Sequence, residues 1–226
     1  MNYNKKLSDE IFKMYYAEKI GKNSLCIECR KNAIEKHKEL TNGPVPIFHV
    51  GKNFENNDKK LLLIGRVAYG WKDELNPLWE KTFQENEKHL YDIQTTVENR
   101  SKQLFSEGIT KYFEFIKNTL TEIYGNIDTA FDNVALTNYV HCNTGSVSDN
   151  IPQIVRNYCS NKDLNGFIHK EIEILKPTHI LVLTKDWKYL RYAFDKKWNV
   201  KAIKHPSSPG RSKIEFKSDI LDFLNN

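Results

Sequence analysis

Nowhere in these 226 residues does an apolar run approach the ~18–20 residues that a bilayer-crossing helix needs. The opening stretch, MNYNKKLSDE, holds no apolar segment of the secretory type. These absences lead to the expectation of a cytoplasmic protein with no membrane partner. Internal repeats, low-complexity tracts and linker-like stretches are missing too, so one domain over residues 1–226 is the economical reading. Residues 1–55 would form an N-terminal helical extension wrapped onto it, and a monomer is expected. Cysteine is scarce, with four in the chain. In a cytosolic chain, grouped cysteines point more to metal or catalysis than to disulfides.

What is present suits a sizeable core. The chain is 39% hydrophobic and 28% charged, with a net charge of +5, which permits a polyanionic partner without demanding one. Twelve Phe, eleven Tyr and four Trp serve either a thick core or base stacking.

The organising stretch is KLLLIGRVAYGW, residues 60–71. Leu61, Leu62, Leu63 and Ile64 form a continuous apolar run closed by Gly65, the pattern of a strand buried on both faces. Further strands are expected over 133–140 (NVALTNYV), 179–184 (HILVLT) and 200–204 (VKAIK). Helices are expected over 8–20, capped by Ser8, and over 77–90. Another is expected on the stripe of Ile109, Tyr112, Phe113, Phe115, Ile116, Leu120 and Ile123, stopped by Gly125. Four more follow over 151–159, 164–175, 187–194 and 214–224, the last burying Ile214, Ile220, Leu221 and Leu224. Residues 48–59 read as irregular or as one short edge strand. Strands alternating with helices imply a parallel sheet covered on both faces. The expected architecture is therefore a three-layer αβα fold around a four-stranded parallel sheet.

Ligands of such sheets bind beyond the carboxyl ends of the strands. The loops delivered there would be 66–71, 138–143, 185–187 and 205–211. The last begins HPSSPGR, in which prolines stiffen the chain and Gly210 permits close approach to a ligand. Its hydroxyls, amides and Arg211 suit a phosphate backbone. It also reads as a plain connection into the last helix.

Cys26 and Cys29 form CxxC, whereas Cys142 and Cys159 are separated by 16 intervening residues. Four thiolates would hold zinc or an iron–sulfur cluster. Buried free thiols are the alternative, weakened because no cysteine is left over.

An ordered set of motifs completes the reading: an apolar strand ending in Gly65, then Thr137-Asn138 with Cys142 four residues on, then Cys159, LKPTHILVLT and His205-Pro206-Ser207. This set resembles the uracil-DNA glycosylase superfamily over roughly residues 24–210. The cysteine layout looks like its iron–sulfur branch, the family 4 type. The resemblance implies the fold already expected, a 4Fe-4S cluster (zinc as the alternative) on Cys26, Cys29, Cys142 and Cys159, DNA as partner, and hydrolysis of a base–sugar bond after the nucleotide is flipped out. Carried over, Asn138 would read the Watson–Crick edge of the base, its amide offering both donor and acceptor. His205 would hydrogen-bond the leaving base or hold the water. Gly65, Val67 and Ala68 would line the substrate pocket. Tyr69, Trp71, Trp79 or Phe83 would stack on the base. Ser207, Ser208 and Arg211 would grip phosphates. Asn138 also reads as a strand-end turn residue, His205 as a structural histidine, and each aromatic as core.

The sequence departs from the family pattern just after Gly65. A Glu, Asp, Asn or Gln is usual there, and this chain has Arg66 and Val67, neither of which is a general base. Arg66 would instead stabilise a negative leaving base or contact a phosphate, with Asp73 or Glu74 as a displaced carboxylate. A shifted substrate, or binding retained without catalysis, follows from that departure.

Overall fold

The computed structural model describes residues 2–20, 29, 42–44, 48–67, 88–143, 153–161, 163, 165–184, 190, 194–206, 208–210 and 212–226, with residues 16, 18–20, 42–44, 67, 88–93, 142–143 and 153–155 described by backbone alone. The elements in chain order are α1 (Lys5–Ile20), β1 (Asn42–Pro44), β2 (His49–Val50), β3 (Leu61–Val67), α2 (Lys88–Glu107), α3 (Lys111–Tyr124), α4 (Ile127–Asn133), β4 (Val134–Val140), β5 (Cys142–Asn143), α5 (Gln153–Ser160), α6 (Phe167–Leu175), β6 (His179–Leu183), β7 (Val200–Ile203) and α7 (Lys213–Asn225).

The main sheet runs β2-β4-β3-β6-β7. β4, β3, β6 and β7 pair in parallel, while β2 pairs antiparallel with β4. The expected four-stranded parallel sheet is thus corrected to a five-stranded mixed one. The additional strand is only two residues long, His49–Val50, too short to carry a periodic signal in the sequence. β1 and β5 form a separate two-stranded sheet, with Pro44 opposite Cys142.

Leu61, Leu62, Leu63 and Ile64 are all fully buried because both faces of β3 are covered. Leu62 and Ile64 join α1, α5 and α6 residues such as Ile11, Phe12, Cys159, Phe167 and Ile172. Leu61 and Leu63 join α3, α4 and α7 residues such as Ile116, Leu120, Phe131, Phe216 and Phe223. Burial of each such side chain contributes about 1.5–3 kcal/mol. Helix α2 serves both layers, with Val97 and Leu104 in the first and Phe105 in the second. No helix among the described residues is long and apolar enough to cross a membrane.

Helix ends follow local chemistry. Thr110 caps α3 by accepting from Phe113 N–H, and Gly125 ends that helix at φ 87°, a conformation glycine adopts without strain. Ser212 and Glu215 form a reciprocal capping box on α7. Two details differ from expectation. α1 starts three residues before Ser8, because the Asn4 side chain takes the capping role by accepting from Leu7 N–H at 3.1 Å. Ile214 is 81% exposed and Leu221 only half-buried, and Phe216 and Phe223 are buried with Ile220 and Leu224 instead. A first-turn residue lies beside its capping loop, and the buried face of α7 is set by its aromatic pair.

Candidate functional site

Among the parallel strands the sheet order is β4-β3-β6-β7, so the chain leaves β3 toward one side and later returns to the other. The switch in direction falls between β3 and β6. In open α/β sheets the ligand crevice lies outside the carboxyl ends of the strands at this point. Gly65 stands at that end of β3.

Gly65 pairs in register with Asn138 on β4. Strand residues alternate between faces, and Leu61, Leu63, Val134 and Leu136 all face the α3/α4/α7 layer. Gly65 and Asn138 therefore open onto that layer too. A Cβ at position 65 would lie 2.3 Å from Asn138 Oδ1 and 2.9 Å from the Tyr112 hydroxyl oxygen, both inside contact distance. A side chain here would push the Asn138 amide or the Tyr112 hydroxyl aside, so these two polar groups converge above the bare backbone. Tyr112 sits in the first turn of α3, and its ring stacks on His205 with centroids 5.1 Å apart and planes at 24°. Gly65, Asn138 and His205 come from the ends of three strands and meet around one tyrosine.

His205 follows β7 and begins a tight turn in which Ser208 N–H donates to His205 C=O at 2.9 Å. Pro206 is buried at the second position of that turn, where its fixed φ is favourable. Beyond it, Gly210 adopts φ 76°. Arg66 is half-buried and, by alternation along β3, belongs to the face opposite Gly65. The backbone of Val67 pairs with Val140. Ala68, Tyr69, Trp71, Asp73, Glu74, Trp79, Phe83, Ser207, Arg211 and Cys26 lie outside the described residues.

Cys29 and Cys159 are both buried in the apolar cluster on the α1/α5/α6 side, the face away from Asn138. No group of three or more His, Cys, Asp or Glu side chains placed to hold a metal occurs among the described residues.

Compared with models of known families, with curated proteins and with solved structures, the chain matches none.

Two features escaped the sequence reading. Tyr112 was counted in the apolar stripe of its helix. Its hydroxyl is nonetheless a buried polar atom with no hydrogen-bond partner among the described residues. Burial raises its pKa, so the phenol stays neutral. The second feature is a polar cluster in the other layer. Tyr15 donates to Glu171 Oε1, Thr137 Oγ1 donates to the same oxygen at 3.1 Å, and His141 Nδ1 lies 3.1 Å from the Tyr15 hydroxyl. Desolvation pushes Glu171 up to about 8, against the opposing pull of the Tyr15 and Thr137 hydrogen bonds. It also pushes His141 down to about 3. The signal for this cluster was available, since Glu171 lies on the same helical stripe as Phe167, Ile168, Ile172 and Leu175.

Proposed function

We propose that the protein is a DNA glycosylase hydrolysing the N-glycosidic bond of a flipped uracil or modified pyrimidine. The observation that carries this reading is the meeting of Gly65, Asn138 and His205 around Tyr112 at the carboxyl edge of the sheet. Asn138 would read the edge of the base, because an amide can both donate and accept. His205 would hydrogen-bond the base as negative charge develops on it. Water then adds to the anomeric carbon as the carbon–nitrogen bond breaks, through an oxocarbenium-like sugar, and the proton released by water ends on the departed base. No carboxylate follows Gly65, so the site would depend more on stabilising the leaving base than on activating water. Asp73 would be the displaced carboxylate, and Arg66, on the face of β3 opposite Gly65, would act on a phosphate rather than on the base. Tyr69, Trp71 or Trp79 would stack on the base, and Ser207, Ser208 and Arg211 would take the flanking phosphates.

Cys26, Cys29, Cys142 and Cys159 would hold a 4Fe-4S cluster, with zinc as the alternative. The donor chemistry fits, since Cys29 and Cys159 are buried in one apolar cluster. These two thiols lie on the face of the sheet away from Asn138, so the cluster would be structural. Glycosidic hydrolysis moves no electrons.

The test is a panel of duplexes carrying uracil, hypoxanthine and modified cytosines, assayed for abasic sites. Asn138→Ala and His205→Ala should each lower base release by about 10²–10³ while leaving DNA binding mostly intact. Unchanged release in both variants would sink the assignment of this pocket. The absence of a carboxylate at 66 and 67 favours a second reading, a catalytically lapsed nucleic-acid-binding or nucleotide-binding member of the same superfamily. Wild-type protein that binds DNA but releases no base from any duplex would put that reading first.

A further inference from the structure

We infer that Tyr112 is a specificity-determining residue whose hydroxyl donates a hydrogen bond to a carbonyl oxygen of a pyrimidine base seated between Asn138 and His205. The placement of the base rests on the glycosylase reading above, while the role of the hydroxyl rests on separate observations.

The phenol oxygen is buried and has no partner among the described residues. A buried polar group left unpaired costs about 1–3 kcal/mol, and a native chain keeps such groups where something else completes them. The hydroxyl lies 2.9 Å from the point that a Cβ on Gly65 would fill, and Asn138 Oδ1 lies 2.3 Å from the same point. Two hydrogen-bonding groups thus converge over a residue with no side chain, at the switch point of the sheet. A planar ring carrying adjacent donors and acceptors along one edge suits two such groups.

Its surroundings fix the phenol in place. One face of the ring stacks on His205. The Phe113 ring meets it edge-on at 5.2 Å and 89°. Thr110 caps the helical turn that carries it. A pre-positioned neutral phenol has an O–H to give, and the strongest complement on a pyrimidine is an exocyclic carbonyl. A ring without that oxygen would leave the hydroxyl unpaired, which is how a polar site rejects an analogue lacking its partner group.

Free uracil, which has two exocyclic carbonyls, and free pyrimidine, which has none, separate the possibilities by titration calorimetry on wild type and Tyr112→Phe. Wild type should prefer uracil. Tyr112→Phe should bind uracil about tenfold to a hundredfold more weakly, bind pyrimidine as wild type does, and keep or slightly raise Tm. An unchanged uracil-to-pyrimidine ratio overturns the inference. So does equal weakening of both ligands with a lower Tm, the mark of a merely structural tyrosine, and so does a wild type that binds neither base. The glycosylase reading fails separately. Uracil binding that depends on Tyr112 in a protein releasing no base from DNA keeps the inference and removes the enzyme. Base release and uracil preference both untouched by Tyr112→Phe do the reverse.

Discussion

Glu171 is the residue whose chemistry runs most against its place. It is fully buried on the apolar face of α6, and its Oε1 accepts from Tyr15 and Thr137 while Oε2 has no partner among the described residues. Burial favours the neutral acid, raising its pKa from 4.5 to about 8. The stability this form contributes is fully present below about pH 4.5 and is lost as pH rises through about 8. His141 has the opposite sign. Its pKa falls from 6.5 to about 3, so its contribution is present above about pH 6.5 and lost as pH falls toward 3. The two opposing trends offset each other between about pH 4.5 and 6.5, so thermal stability should be highest there and decline as pH rises toward 8. Glu171→Gln keeps an acceptor for Tyr15 and Thr137 but cannot ionise, so its Tm should stay nearly flat between about pH 6.5 and 9, where His141 is neutral in both states. A Tm that falls as steeply in the variant as in wild type would show that the alkaline loss arises elsewhere. At this scale the sequence marks a carboxylate inside an apolar stripe, but it does not bring Tyr15, Thr137 and His141 to it. Those contacts join α1, β4 and α6 and exist only after packing.

At the scale of elements, strongly patterned segments are legible and mixed ones are not. β3, β4, β6 and β7 announce themselves because strands buried on both faces need unbroken apolar runs. Helix α2 goes unread in its central and C-terminal part. Its buried positions among the described side chains, Gln94, Val97, Ser101, Leu104 and Phe105, keep helical spacing, but Gln94 and Ser101 interrupt the apolar signal. In the structure that hydroxyl donates to Phe48 C=O at 3.1 Å, so a polar residue serves the core by a bond that spacing does not reveal. α3 shows how an element carries a site. Its cap, Thr110, precedes Tyr112 by two residues, so the first turn that positions the phenol depends on one side-chain hydrogen bond to Phe113 N–H. Thr110→Ala should cost about 1 kcal/mol in urea denaturation, and Thr110→Ser should restore most of it. An Ala variant as stable as wild type would show that packing against Phe105 and His205 alone holds the turn.

Over the whole molecule, the described part of the N-terminal extension belongs to the core. Ile11, Phe12 and Tyr15 of α1 are fully buried against α6 and the sheet, and Tyr3 bridges to Gly51 beside the edge strand. The Asn138–Tyr112 cluster and the buried Cys29 and Cys159 occupy opposite faces of one sheet, which no reading of spacings alone would separate. The candidate site is accordingly half legible from sequence. Asn138 and His205 stand at strand ends and can be placed there by counting strands, whereas Tyr112 reaches Gly65 only through the packing of α3 on the sheet. The division of faces also decides what losing a metal should do. If Cys26, Cys29, Cys142 and Cys159 hold one cluster, it ties the N-terminal extension to the segments after β4 and leaves the Asn138 face alone. Protein purified without oxygen should then carry iron and sulfide, or zinc, with a colour near 400 nm only in the first case, a value on the order of that for thiolate-to-iron charge transfer. Cys159→Ser should lose the metal and a large part of its thermal stability, because structural metal binding is folding free energy. Affinity for free uracil, measured well below the lowered Tm, should change little, since the pocket lies across the sheet. Metal-free wild type with the same Tm as Cys159→Ser would reduce the four cysteines to buried thiols, whereas a parallel loss of metal and uracil binding would place the cluster within reach of the pocket.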